Sequence, residues 1–244
     1  MHKFFVDKKN ISNNIALIRD DDVKHIYKVL RLKTGDDIII NNLNREEYLG
    51  KISEITKEYV KVILNEKLNK DNEPEVKVHL FQGIPKNSKM DYILQKCTEI
   101  GAYEFTPVVT KRVMLSEIKK QDRWQKIALE AAKQSQRTII PDVNDVLNWE
   151  SLLNELKKFS MVIVPYEEER FLGIKKLLRG KEYKDIALVI GPEGGFEREE
   201  IESLKQIGAK IVTLGHRILR TETAASIASS FILYELSDMG GYYE

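Results

Sequence analysis

The 244-residue chain predicts an α/β protein in two parts: a small N-terminal β barrel, then a parallel sheet with helices on both faces. Two observations predict it. Up to residue 66, short β-rich runs follow one another with a single helical patch. From residue 76, compact apolar runs alternate with helical stretches, as the strands and crossovers of a parallel sheet do. Between them LNKDNEPE (68–75) is polar, has no hydrophobic period and carries Pro74, so it reads as the linker. The parts are therefore 1–72 and 73–244.

In the first part FFV, DDIIINN, EYLGKISEI and YVKVILNE are strands, broken by Gly35, Gly50 and charged pairs. Residues 22–32 form the one helix, with Val23, Ile26, Tyr27 and Leu30 on one face. In the second part VKVHLFQGI (76–84) is a strand. SKMDYILQKCTEIGA is a helix, with Ser88 as N-cap and Gly101 just past its end. FTPVVT is a strand, and residues 118–137 are a long amphipathic helix. MVIVPYEEE, ALVIGPEGG and KIVTLG are further apolar runs that stop at turn residues. FLGIKKLLR and REEIESLKQIGA are the helices between them.

Composition excludes several classes. No window holds the roughly 18 apolar residues of a membrane span, and the N-terminus has no signal-peptide core. Cys97 is the only cysteine, which rules out an intrachain disulfide and makes a reducing cytoplasm the expected location. The four histidines have no metal-ligand spacing, so no metal is expected. Net charge is only +1, but it is unevenly spread. Residues 83–137 hold 11 Lys/Arg against 6 Asp/Glu, and residues 138–244 hold 13 against 18. The first stretch reads either as solvated helix faces or as a basic face for a polyanion.

Ligands of an open parallel sheet bind beyond the carboxyl ends of its strands. Two such ends stand out, ALVIGPEGGF (187–196) and IVTLGHRILRTET (211–223). Gly191, Gly194 and Gly195 permit close backbone approach. GPEGG lacks a phosphate-loop lysine, and Glu193 would repel phosphate, so it reads either as a tight turn with no ligand or as the site of an uncharged or cationic guest. In the second end Thr221 can cap a helix starting at Glu222. Arg220, however, sits at the unfavourable end of that helix dipole, at a cost of roughly 0.3–1 kcal/mol. Pairing with Glu222, an anionic ligand or developing negative charge would offset it. The small residues of AASIASS serve either close intrachain packing or a dimer interface.

IGPEGGF (190–196) followed by LGHRILRTETA (214–224) resembles the 16S ribosomal RNA uridine-N3 methyltransferases, the RsmE family of the SPOUT superfamily. The likeness includes HIYKVLRLKTGD (25–36), KNSKMDYILQKCTEIGAYEFTPVVTKR (86–112), and RWQKIALEAAKQSQR (123–137) with Pro141, five blocks in order over nearly the whole chain. The resemblance implies a PUA-like RNA-binding barrel and a SPOUT-type parallel sheet whose chain forms a deep trefoil knot. It implies S-adenosylmethionine as methyl donor, leaving as S-adenosylhomocysteine, with no metal. It implies a homodimer through the C-terminal domain, acting on 16S ribosomal RNA in an assembled or near-assembled small subunit. Lys3 stands where the family usually has arginine, His216 falls at a variable position, and NNLNREEY (41–48) lacks a glycine turn.

On this reading Arg220 stabilises the ionised pyrimidine, and Glu222 either orients Arg220 or takes the proton. Gly191, Glu193, Gly194, Gly195, Leu214, Gly215, Ile218, Leu219 and Thr223 enclose the donor. His25, Arg31, Lys86, Lys89, Arg112, Gln134 and Arg137 meet RNA.

Overall fold

Alternation of apolar and polar residues with a period of two sets the first sheet. The computed structural model describes residues 1–43, 45–69, 72–113 and 121–241. Residues 70–71 of the expected linker and 118–120 of the expected long helix lie outside the described residues, as does position 44 of the NNLNREEY loop. One unit comprises Met1–Glu73 and Ala132–Ile140; the other comprises Pro74–Ala131 and Pro141–Glu244.

The first unit holds β1 (Lys3–Phe5), β2 (Ile11–Ser12), β3 (Ile15–Arg19), β4 (Asp37–Asn41), β5 (Glu47–Ile55) and β6 (Tyr59–Leu68) in the order β1-β4-β5-β6-β3-β2. β1 runs parallel to β4; the other neighbours are antiparallel. One face buries Phe4, Ala16, Ile18, Ile38, Ile40, Ile52, Val60 and Val62. Register shifts in β5 at Leu49/Gly50 and Ile52/Glu54 add the local twist that curls such a sheet. β2 and β3 were not expected from the apolar runs. They form a hairpin whose two turn residues, Asn13 and Asn14, have φ of 48° and 58°, as asparagine tolerates in a tight turn.

The helical patch is α1 (Asp21–Lys24) continuing as one π turn, His25–Val29. The wider turn removes Tyr27 from the inner face, and it is 64% exposed; Val23 and Ile26 stay buried. Arg137 is buried as well. Its guanidinium lies 2.5 Å from Glu73, both side chains being 4% exposed. Glu73 also accepts from the backbone amides of Thr138 (2.7 Å) and Ile139 (3.0 Å). Lys3 is similarly enclosed, 2.5 Å from Glu47 and donating to the Gln136 carbonyl at 2.7 Å.

The second unit runs β7 (Lys77–Gly83), α2 (Lys89–Ile100), β8 (Glu104–Val108), α3 (Gln121–Gln134, its last residues in the first unit), β9 (Asp142–Val143), α4 (Trp149–Leu156), β10 (Val162–Pro165), α5 (Ile174–Leu178), β11 (Asp185–Ile190), α6 (Arg198–Gln206), β12 (Lys210–Val212) and α7 (Thr221–Leu236). The sheet order is β12-β10-β11-β7-β8-β9, and every pair is parallel. β11 shows why both faces are covered. Ile186, Leu188 and Ile190 pack with α2, α5 and α7, while Ala187 and Val189 pack with α4 and α6. This is the parallel α/β sheet the alternation predicted.

The caps differ in part from expectation. Ser88 makes no side-chain cap on α2. Gly101 does close that helix at φ +119°, and a Cβ there would lie 2.7 Å from Pro74. α7 packs on α2 through small buried residues, Ala225, Ala228 and Ser229. The Cys97 thiol of α2 meets Ser226 and Ser229 there, and burial pushes it up to about 12. Intrachain packing thus accounts for the buried part of AASIASS.

Removing one partner of a buried ion pair strands the other charge. Glu73→Ala should therefore destabilise the protein by about 3–5 kcal/mol. Urea denaturation checks this; a loss no larger than that of a surface substitution would show the pair to be dispensable.

Candidate functional site

Because β10, β11 and β12 are parallel, their carboxyl ends open on one side of the sheet. The segments leaving them, with the first turn of α7 and Lys89 at the start of α2, enclose an open cavity of about 430 Å³. That volume is within the range of small-molecule sites. Ile190, Leu214, Ile218, Leu219 and Phe196 supply its apolar walls.

Most of the expected donor-site residues line this cavity, Gly191, Glu193, Gly195, Leu214, Gly215, Ile218 and Leu219, as does Arg220, expected to stabilise the ionised pyrimidine. Gly194 does not line it, but its carbonyl accepts from Arg112. Thr223 is exposed on α7 and outside the lining, because the helical turn carries it away from Thr221. Two glycines have steric reasons to be glycine. Gly195 has φ +68°, and a Cβ there would meet the Glu167 carboxylate at 2.6 Å. A Cβ on Gly191 would meet the Phe196 ring at 3.1 Å.

Thr221 does not cap α7. Arg220 occupies the N-cap position without a side-chain bond. The Thr221 hydroxyl instead donates to the Gly191 carbonyl at 2.6 Å and accepts from Gln82 Nε2 at 2.9 Å. Two strand exits are thereby tied together beneath the cavity.

The charges also fall differently from the sequence reading. Lys89 reaches inward, 3.1 Å from Glu193 and 3.7 Å from Glu222, with its side chain 31% exposed. Burial opposes the charge on Glu193, but its own backbone amide, Lys89 and the Lys86 amide outweigh that and hold it below the ordinary value. Arg112 bonds Glu197 at 2.8 Å and props the glycine turn. Arg137 is buried on Glu73 and so is withdrawn from RNA contact. His25, Arg31, Lys86 and Gln134 remain exposed. Arg220 is exposed on the cavity wall and makes no ion pair among the described residues, so Glu222 is not its partner. Among the described residues no cluster of His, Cys, Asp or Glu could hold a metal ion. No described helix is long and apolar enough to cross a membrane.

Sequence reasoning missed Gln82, Tyr166, Glu167 and Thr213. The strand-end rule that selected GPEGG applied equally to VIVPYEEE, whose Tyr166 and Glu167 line the cavity. Gln82 gave no such signal, because it looked like the polar end of an apolar strand.

A cavity lined by two guanidinium groups with no ion pair among the described residues, Arg217 and Arg220, and by an adjacent Lys–Glu pair suits an organic ligand beside a developing anion. A family model described as an RNA methyltransferase domain matches residues 72–233, and an RNA methyltransferase PUA domain matches residues 18–65. The ribosomal RNA small subunit methyltransferase E of Bacillus subtilis (strain 168) is 34% identical, covering 99% of both chains. The protein of that name from Mesomycoplasma hyopneumoniae (strain 232) is 33% identical, covering 92% of this chain and 96% of its own. The crystal structure of the Neisseria gonorrhoeae protein of that name, bound to S-adenosyl methionine, superposes with a TM-score of 0.87. It is 27% identical and covers 98% of this chain and 99% of its own.

Glu193 gives a signed pH prediction. Its folded-state pKa lies below the ordinary 4.5. The stability it contributes is therefore full above that value and is lost as pH falls through the folded one. The stability gap between wild type and Glu193→Gln should be constant from about pH 6 to 8 and shrink toward pH 3. Urea melts across that range would refute the assignment by showing a gap independent of pH.

Proposed function

The chain belongs to the ribosomal RNA small subunit methyltransferase E family, and from that premise we propose that it methylates N3 of one uridine in 16S ribosomal RNA, using S-adenosylmethionine. The observation that carries this reading is the cavity ringed by the glycine turns of 191–195 and 213–220, with the unpaired Arg220 on its wall.

The cavity fits the donor on its own terms. Gly195 leaves space that a side chain would fill, and the apolar walls suit an adenine ring. Glu193, Glu167 and Lys89 provide both signs of charge at the lining for a zwitterionic amino-acid end. When bound, S-adenosylmethionine supplies a methyl group on a sulfonium leaving group and departs as S-adenosylhomocysteine.

The remaining work belongs to this chain. Uridine N3 must lose its proton to become a nucleophile, and the charge then spreads to the two ring carbonyls. The Arg220 guanidinium, planar and always charged, stabilises that anion from the cavity wall. Glu222, in the first turn of α7 and next to Lys89, accepts the N3 proton directly or through water. N3 lies on the Watson–Crick edge, so the base must be unpaired or extruded to react.

The exposed His25, Arg31, Lys86 and Gln134 provide backbone contacts to the RNA, the last two from the 83–137 stretch of excess positive charge. The substrate is the assembled or near-assembled small subunit in the cytoplasm. A homodimer through the C-terminal unit covers Phe231 and Tyr234 of α7, which are 41% and 59% exposed.

Arg220→Ala should lower kcat by about 10²–10³-fold while changing donor Kd less than threefold. Equal losses in both would place Arg220 in the donor-binding shell. Mass spectrometry of 16S ribosomal RNA from cells lacking the gene tests the reaction itself. One uridine should lack a methyl group at N3, restored by the wild-type gene and not by Arg220→Ala. An unchanged RNA would overturn the reading.

A further inference from the structure

Gln82, at the end of β7, is fully buried, and its amide faces two backbone carbonyls. Nε2 donates to Gly83 at 2.8 Å and lies 3.4 Å from the Gly191 oxygen. Both are acceptors only, so the NH₂ end must point toward them. With that orientation fixed, Nε2 is also the donor to Thr221 Oγ1 at 2.9 Å. The Thr221 hydrogen is then left for the Gly191 carbonyl, at 2.6 Å. Donation runs one way, from Gln82 through Thr221 to Gly191.

The cost of this arrangement is visible. Gln82 Oε1 is buried without a hydrogen-bond partner among the described residues. A side chain present only for packing would be better apolar, since an unsatisfied buried acceptor weakens a fold. The relay joins the residue that opens the 191–195 turn to the first residue of α7, which directly follows Arg220.

We propose that Gln82 and Thr221 are positioning residues: their relay fixes the spacing between the glycine turn and α7, and through it the width of the S-adenosylmethionine pocket and the location of Arg220. This rests on the reading of the cavity as the donor site. Neither residue need touch the donor; both act through the backbone they hold.

The test uses full-length protein and calorimetric titration with S-adenosylmethionine and S-adenosylhomocysteine. Gln82→Met and Thr221→Val keep volume and remove the relay. Each should raise Kd for both ligands about tenfold, the scale of one lost buried hydrogen bond. Thr221→Ser keeps the hydroxyl and should stay within about twofold of wild type. The double variant Gln82→Met/Thr221→Val should bind no more weakly than the worse single one, because either change breaks the same chain. In kinetics, KM for the donor should rise by more than kcat falls.

Circular dichroism melts establish which variants are folded; if Gln82→Met is not, the contrast between Thr221→Val and Thr221→Ser decides alone. Unchanged donor Kd in folded variants, a Thr221→Ser as weak as Thr221→Val, or losses that multiply independently would overturn the relay. Wild-type protein that binds neither ligand would overturn the donor-site reading beneath it, a result distinct from the other three.

Discussion

One hydrogen bond, from the Thr221 hydroxyl to the Gly191 carbonyl, holds the exit of β11 against the start of α7. The arrangement of the site follows from it. The loop after β12 must return to the sheet for Thr221 to reach Gly191, and this bends residues 213–220 around the cavity. Beyond it α7 packs on α2, with small residues among those it buries, Ala225, Ala228 and Ser229. A rigid base thus supports a wall made of exposed loop residues, Ile218 among them at 85% exposure.

The electrostatics follow the same division between depth and rim. Beside the base, charges are matched: Lys89 with Glu193 and Glu222, and Arg112 with Glu197. At the rim Arg217 and Arg220 are left unmatched among the described residues. An unpaired guanidinium next to an organic cavity is available to an anion that forms only during reaction, which is where a fixed charge contributes most to rate. The acidic excess of the C-terminal half is used locally, on the glycine turn and the capping box of α6, where Glu197 and Glu200 bond each other's backbone amides.

Much of the fold was legible because its signals are local. The apolar runs of β7, β8, β10, β11 and β12 are short and end at turn residues, and nothing else in solution buries such runs as well as a parallel sheet. The β2–β3 hairpin was missed because its strands are only two and five residues long, with a turn of two asparagines in place of glycine. The π turn at His25–Val29 was missed because a period of 3.6 was assumed, and Tyr27 was wrongly turned inward as a result.

The sequence by itself determined which two strand exits frame the cavity. Glycines that must bend and an arginine misplaced on a helix dipole are visible in one dimension, since each is a local violation needing a reason. The tertiary structure alone decided which charges are free to act. Lys89, Arg112 and Arg137 look alike in sequence as cations for RNA, yet each meets a carboxylate contributed from a distant part of the chain. Gln82 and Thr221 are 139 positions apart and meet only when β7, β11 and α7 pack together. Pairing across such distances depends on the whole fold, because no local pattern encodes the partner.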